Sequence, residues 1–178
     1  MAWYALFVKT GYEHDVASTI SQLWCIDGLR PFIPMVDTRF RKAGKVLLEK
    51  RRWFPGYVFI ESEVNGFDFY LQAKPHISRT KNVLKLLRYG NGNTDSSFEI
   101  QETEREFFDK LLNGERCVEM SRGYMKGNSI VVTEGPMVGL ESLIKKVNRH
   151  KMQVTVEVFL LGCLREVTLG LEIVSKLP

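Results

Sequence analysis

Arg51-Arg52-Trp53-Phe54-Pro55-Gly56-Tyr57-Val58-Phe59-Ile60-Glu61 crowds aromatic and branched side chains around a single Pro-Gly interruption. Val58 to Ile60 predict a buried central strand, because such side chains fit a packed, pleated surface. Pro55-Gly56 predicts a tight turn or bulge feeding that strand: proline presets φ and glycine accepts a left-handed one. The turn can aim Phe54 and Tyr57 either into a core or toward a surface. Two arginines precede it directly.

Upstream, Trp3 to Lys9 reads as a strand ending at Thr10-Gly11. A helix follows, with Val16, Ala17, Ile20, Leu23 and Trp24 on one face, Glu13 and Asp15 in its first turn, and Gly28 as its C-cap. Arg30 to Val36 contains Pro31 and Pro34, which suits an edge strand or an extended segment. Asp37 to Trp53 reads as a basic hairpin turning at Ala43-Gly44-Lys45, or as a loop. Downstream, Asn65 caps a helix carrying Phe67, Tyr70 and Leu71 on one face and stopping before Pro75. Val83 to Arg88 is a further strand, and Gly90-Asn91-Gly92-Asn93 a loop. A third helix runs from Glu102 to Leu112 with Phe107, Phe108, Leu111 and Leu112 apolar, ended by Asn113-Gly114. The order β-α-β-β-β-α-β-α predicts an α+β domain over residues 1–113, with helices on a mostly antiparallel sheet.

The pattern then changes. Residues 114–123 lack periodicity and read as a flexible linker. Residues 124–178 carry short strands only, at 129–133, 143–147, 152–159, 165–169 and 172–174. Five short strands at this spacing predict a small β-barrel, marginal by itself.

A formal charge of +4 says little, but its distribution says more. Arg39, Arg41, Lys42, Lys45, Lys50, Arg51 and Arg52 face one acid, Glu49; Lys145, Lys146, Arg149 and Lys151 form a second cluster. Each cluster suits either a solvated loop or contact with a polyanion. Cys25, Cys117 and Cys163 give no metal or disulfide spacing and read as buried thiols of a cytoplasmic protein. No apolar run is membrane-spanning, and no leader pattern opens the chain. His14, His76 and His150 are isolated, and no phosphate-cradling Gly-x-x-x-x-Gly-Lys occurs, so no catalytic constellation is assembled and no cofactor is expected.

In the C-terminal part, Gly127, Gly135 and Gly139 bracket the strand Ser129 to Thr133, and the run Gly135-Pro136-Met137-Val138-Gly139 follows it. Residues 127–147 resemble the KOW motif. Trp3-Tyr4-Ala5, the helix after it, and Phe54-Pro55-Gly56-Tyr57-Val58-Phe59 resemble the N-terminal (NGN) domain of the NusG transcription factors. The resemblance spans nearly the whole chain in the family's order: NGN domain, linker, SH3-like KOW barrel.

The resemblance implies a monomeric, non-enzymatic transcription factor. Its NGN domain docks on the clamp region of the largest subunit of bacterial RNA polymerase and suppresses pausing. It places Phe54 and Tyr57 among the polymerase-docking aromatics. Arg39, Arg41, Lys42 and Lys45 are then candidates for contact with non-template DNA. Two positions depart from the family's pattern: Met137 stands where phenylalanine is typical, and Ser142 where glycine is. Both argue against coupling to Rho and to a ribosomal protein. Lys145, Lys146, Asn148, Arg149, His150 and Lys151 make the adjoining loop basic where the family's is acidic. These departures resemble the LoaP branch, antiterminators whose KOW domain binds an RNA hairpin in the nascent leader. A housekeeping NusG is the alternative. Residues 152–159 alternate Val154, Val156 and Val158 with polar residues, which is poor helix material and speaks against a helix-to-barrel switch of the RfaH type.

Overall fold

The computed structural model describes residues 1–42, 45–89 and 97–177. In chain order the elements are β1 (Ala2–Val8), α1 (Glu13–Leu23), β2 (Arg30–Phe32), β3 (Met35–Lys42), β4 (Lys45–Arg52), β5 (Tyr57–Ser62), α2 (Gly66–Arg79), β6 (Val83–Leu86) and α3 (Glu102–Leu111). They continue as β7 (Cys117–Val118), β8 (Ser121–Lys126), β9 (Ser129–Glu134), β10 (Ile144–Asn148), β11 (Gln153–Leu160) and β12 (Cys163–Leu177). The chain divides into two compact units, one of residues 1–34, 54–106 and 160–163, the other of residues 35–53, 107–159 and 164–178. No described helix is long and apolar enough to cross a membrane.

The first unit is built on an antiparallel sheet ordered β2-β5-β1-β6. Strand alternation gives the sheet two faces. Tyr4 looks toward the helices and stacks on Phe69 of α2 at 3.7 Å between ring centroids. Trp3 looks the other way, against Phe32 and Phe59. Val16 and Ile20 of α1 and Phe69 and Ala73 of α2 are buried. At the turn Leu161-Gly162, both backbone N–H groups donate to Glu104, at 2.9 and 3.0 Å, and the Tyr89 hydroxyl donates to the same carboxylate at 2.9 Å. Burial, then this hydrogen bond, pushes the Tyr89 phenol up to about 12.

Four expectations for the helices need correction. The first helix ends at Leu23, not at Gly28: Trp24 becomes extended so that its indole can bury and donate to Thr80 Oγ1 at 3.0 Å. The second runs through Pro75 to Arg79. Proline forfeits one backbone hydrogen bond, but the last turn is held by His76 stacked on Trp24 at 5.4 Å and by the Thr80 hydroxyl donating to the His76 carbonyl. The core face of α2 is Phe69 with Ala73, while Phe67 and Leu71 are exposed, because Tyr4 selects Phe69. Asn65 occupies the N-cap position without a side-chain cap bond.

The second unit contains the sheet β4-β3-β7 and the five-stranded sheet β10-β11-β12-β8-β9. The basic segment is a hairpin, paired in register from Met35↔Arg52 to Lys42↔Lys45. Its turn residues Ala43 and Gly44, and the 90–93 loop, lie outside the described residues. Within 114–123 the chain forms β7, parallel to β3, and the start of β8. The two last expected strands are one, β12, whose end from Leu171 runs parallel to β8. Gly170 is the reason it can: a Cβ there would collide with Met120 Sδ and the Asp37 carbonyl.

Cys25 and Cys163 are exposed, contrary to expectation, and only Cys117 is buried. Its Sγ lies 3.6 Å from Asp37 Oδ1. Burial first, then the Asp37 charge, pushes this thiol up to about 11. A thiolate is the reactive form, so a thiol reagent at neutral pH is expected to titrate Cys25 and Cys163 promptly and Cys117 only in denaturant. Three fast thiols in the native protein would contradict the packing of β3 against β7.

Candidate functional site: an aromatic sheet face and a basic hairpin tip

The Pro55-Gly56 turn is fixed from beneath by a buried carboxylate. Glu13, fully buried, accepts the Gly56 N–H at 2.8 Å through one oxygen and the Gly11 N–H at 2.9 Å through the other. The Gly56 carbonyl in turn accepts the Val8 N–H at 2.8 Å. Gly56 has φ +84°, and a Cβ there would meet Thr10 Oγ1 at 3.1 Å and the Val8 carbonyl at 3.4 Å. Only glycine fits both the angle and the space. Two turns distant in sequence are thus locked to one side chain. Helix-dipole reasoning gave Glu13 a weaker role than it has.

This lock sets the directions of Phe54 and Tyr57. Phe54 is buried, 5% exposed, with its ring 6.3 Å from Tyr57 and 5.8 Å from Phe59. Tyr57 is half-buried and sits opposite Phe7 in register, with ring centroids 5.6 Å apart. Phe32 of β2 sits opposite Phe59 at 5.6 Å and meets Trp3 edge-on at 5.0 Å. One sheet face is therefore a continuous aromatic surface. Trp3, Phe54 and Phe59 form its floor, and Phe7, Phe32 and Tyr57 are its half-exposed rings. Phe7 and Phe32 were missed in the sequence. Alternation would have found Phe7, since it shares its parity with Trp3 and Ala5.

The basic tip joins β10 to β11. The Lys151 N–H donates to Asn148 Oδ1 at 3.0 Å, the Met152 N–H to the Arg149 carbonyl at 3.2 Å, and Met152 takes φ +53°. The turn is thus closed by its own backbone and Asn148. That oxygen braces the turn. Arg149, His150 and Lys151 all point into solvent. Lys145 and Lys146 are also exposed, but pair with Glu157 at 2.7 Å and Glu166 at 3.8 Å. The hydrogen bond that it donates to Glu157 raises the Lys145 ammonium above its usual range. The structure therefore separates the six sequence candidates. Arg149, His150 and Lys151 project from one tight turn, and Lys145 and Lys146 are partly neutralised along the strand.

On the other basic hairpin, Arg39 pairs with Glu172 at 2.8 Å, Lys50 with Glu115 at 2.7 Å, and Arg51 with Glu49 at 2.7 Å. Lys45 is exposed beside the turn. Arg41 and Lys42 lie in β3 opposite Val46 and Lys45; their side chains are outside the described residues. Met137 is 1% exposed, and its N–H donates to Ser121 Oγ at 3.1 Å.

The chain thus combines an antiparallel sheet, backed by two helices and aromatic on its other face, with a β-rich unit that carries a basic turn. The family model described as transcription termination factor nusG matches residues 1–109. The chain belongs to the NusG family. It is 25% identical over 185 residues to the transcription termination/antitermination protein NusG of Pasteurella multocida (strain Pm70), covering 98% of this chain and 94% of that protein. The protein of the same name from Haemophilus influenzae is 27% identical over 184 residues, with 98% and 94% covered. That of Treponema pallidum is 24% identical over 169 residues, with 88% and 89% covered.

Proposed function

We propose that this chain is a specialised transcription antitermination factor, similar to the LoaP branch. Residues 1–113 act as an NGN domain and 124–178 as a KOW barrel, and the 114–123 connection between them is not a free linker but carries β7 and the start of β8. The aromatic sheet face docks on the clamp region of the largest subunit of bacterial RNA polymerase, with Phe7, Phe32 and Tyr57 in contact and Phe54 supporting them from below. Apolar rings that are only half covered, on a rigid strand pair, are what a protein interface uses as anchors. The observation that carries this part is the Glu13 lock, which fixes the turn between Phe54 and Tyr57 in one geometry.

Targeting is assigned to the basic tip. Arg149, His150 and Lys151 contact the phosphates of a structured leader RNA, with Lys145 and Lys146 as secondary contacts and Asn148 as the brace of the turn. Lysine and arginine position the backbone, and a guanidinium can also read a base edge. Lys45, with Arg39, Arg41 and Lys42, is kept as the candidate contact to non-template DNA. Binding of a hairpin-bearing leader is expected to weaken linearly in log–log with salt. Replacing Arg149 and Lys151 by alanine should lower the slope by about 2, roughly 1 per lost phosphate contact, and leave polymerase binding unchanged. An affinity indifferent to salt, or an unchanged slope in the variant, would remove the RNA assignment.

The alternative, a housekeeping factor that couples polymerase to Rho or the ribosome, would use the surface around Met137. Burial of Met137 speaks against it, since a methionine with almost no exposed surface offers a partner little. Titration of the full chain with Rho, followed at the methionine methyls, distinguishes the readings: the antiterminator reading expects Met137 to stay unshifted.

A further inference from the structure

The first unit carries a second uncovered apolar surface, on the helix-bearing side of its sheet where α2 meets edge strand β6. A groove of about 620 Å³ is lined by Tyr70, Lys74 and Ile77 of α2, by Leu84 and Arg88, and by Phe98. Tyr70, Lys74 and Ile77 follow helical spacing and share one face. Tyr70 and Phe98 stack in parallel, with centroids 4.3 Å apart. Leu84 is 57% exposed, and Phe67 and Leu71 on α2 are 62% and 53% exposed. So many large apolar side chains left in water near one groove mark an interaction surface more than an ordinary monomer surface.

The geometry narrows the occupant. β1 pairs Phe7 with Lys85 and Val8 with Val83, so Leu84 is a bulged residue without a cross-strand partner. A bulge at an edge strand discourages addition of another strand. The stacked rings of Tyr70 and Phe98 already face each other, and Ile77 and Leu84 offer nothing to a base. These features disfavour single-stranded nucleic acid. What remains is an aliphatic and aromatic trough bordered by Lys74, Lys85 and Arg88. No ion pair with a described acid engages these three cations. The Lys74 ammonium instead sits 5.8 Å above the Tyr70 ring.

We propose that this groove binds an acidic amphipathic helix of a partner protein. Its apolar residues, at i, i+4 and i+7, seat against Ile77, Leu84 and the Tyr70–Phe98 pair. Its flanking carboxylates meet Lys74, Lys85 and Arg88. This is the helix-in-groove mode with an apolar centre and a charged rim. The site is separate from the aromatic sheet face and does not depend on its assignment.

The test uses the full chain and no polymerase. A displayed library of helical peptides is panned on the protein and counter-selected on the Leu84→Glu/Lys85→Glu variant, both positions being exposed. Enriched peptides should be net acidic with apolar residues at the stated spacing. They should shift the Ile77 and Leu84 methyl resonances and lose about tenfold or more in affinity to the Lys74→Glu/Arg88→Glu variant, as expected when complementary rim charges are reversed. They should bind the Tyr57→Ala variant normally. Basic or patternless peptides, unshifted methyls, loss of binding on Tyr57→Ala, or displacement of the peptides by an oligo(dT) strand at the same methyls would overturn the proposal.

Discussion

Replacing Glu13 by alanine is expected to lower the stability of the first unit by about 2–3 kcal/mol, the scale for losing hydrogen bonds to a charged group and leaving a buried donor unpaired. The carboxylate is fully buried and serves the N–H groups of Gly11 and Gly56 together. Its removal leaves the buried Gly56 N–H unsatisfied, takes the partner from the exposed Gly11 N–H and frees two turns at once. Glutamine keeps the acceptor oxygen but loses the charge and the second acceptor, so Glu13→Gln should fall between alanine and the native protein. Urea unfolding followed by tryptophan fluorescence measures this, since Trp3 and Trp24 both lie in the first unit. A loss below about 1 kcal/mol, the size of a typical exposed hydrogen bond, would mean that the turns hold themselves.

The second large effect separates docking from packing along the same stretch. Phe54→Ala should cost about 3–5 kcal/mol of stability, as for other buried phenylalanines. Tyr57→Ala, at a half-exposed ring, should leave folding nearly intact and weaken polymerase binding by about 2 kcal/mol or more, the range of an aromatic interface anchor. Phe7→Ala, Tyr57→Ala together should abolish detectable binding while RNA affinity persists. Equal stability losses for Phe54→Ala and Tyr57→Ala would make both of them core residues.

Much of this was legible in the chain. Strands rich in valine, isoleucine and aromatics declared themselves, as did the Pro55-Gly56 turn and the basic hairpin of β3 and β4. What escaped depended on long-range partners. Nothing local says that Glu13 reaches a glycine 43 residues away. Local rules stop a helix before Pro75, yet Trp24 and His76 hold its last turn together. Phe67 and Leu71 match helical spacing as well as Phe69 and Ala73 do; the stack of Phe69 on Tyr4 decides between them. Separate strands are predicted at 165–169 and 172–174, and in the structure Gly170 lets one strand continue past Met120. At the basic tip, composition located the cations but could not say which of them glutamates on neighbouring strands would neutralise.

The central claim is that the aromatic sheet face attaches this chain to RNA polymerase. Incorporating a photoreactive benzoylphenylalanine at Tyr57 and irradiating the full-length protein with purified bacterial polymerase tests it most directly. The predicted result is one crosslink, to the clamp region of the largest subunit, suppressed by an excess of unmodified protein and unaffected by the Arg149→Ala/Lys151→Ala variant. No crosslink from position 57, with efficient crosslinking from the same reagent at Arg149, would contradict it.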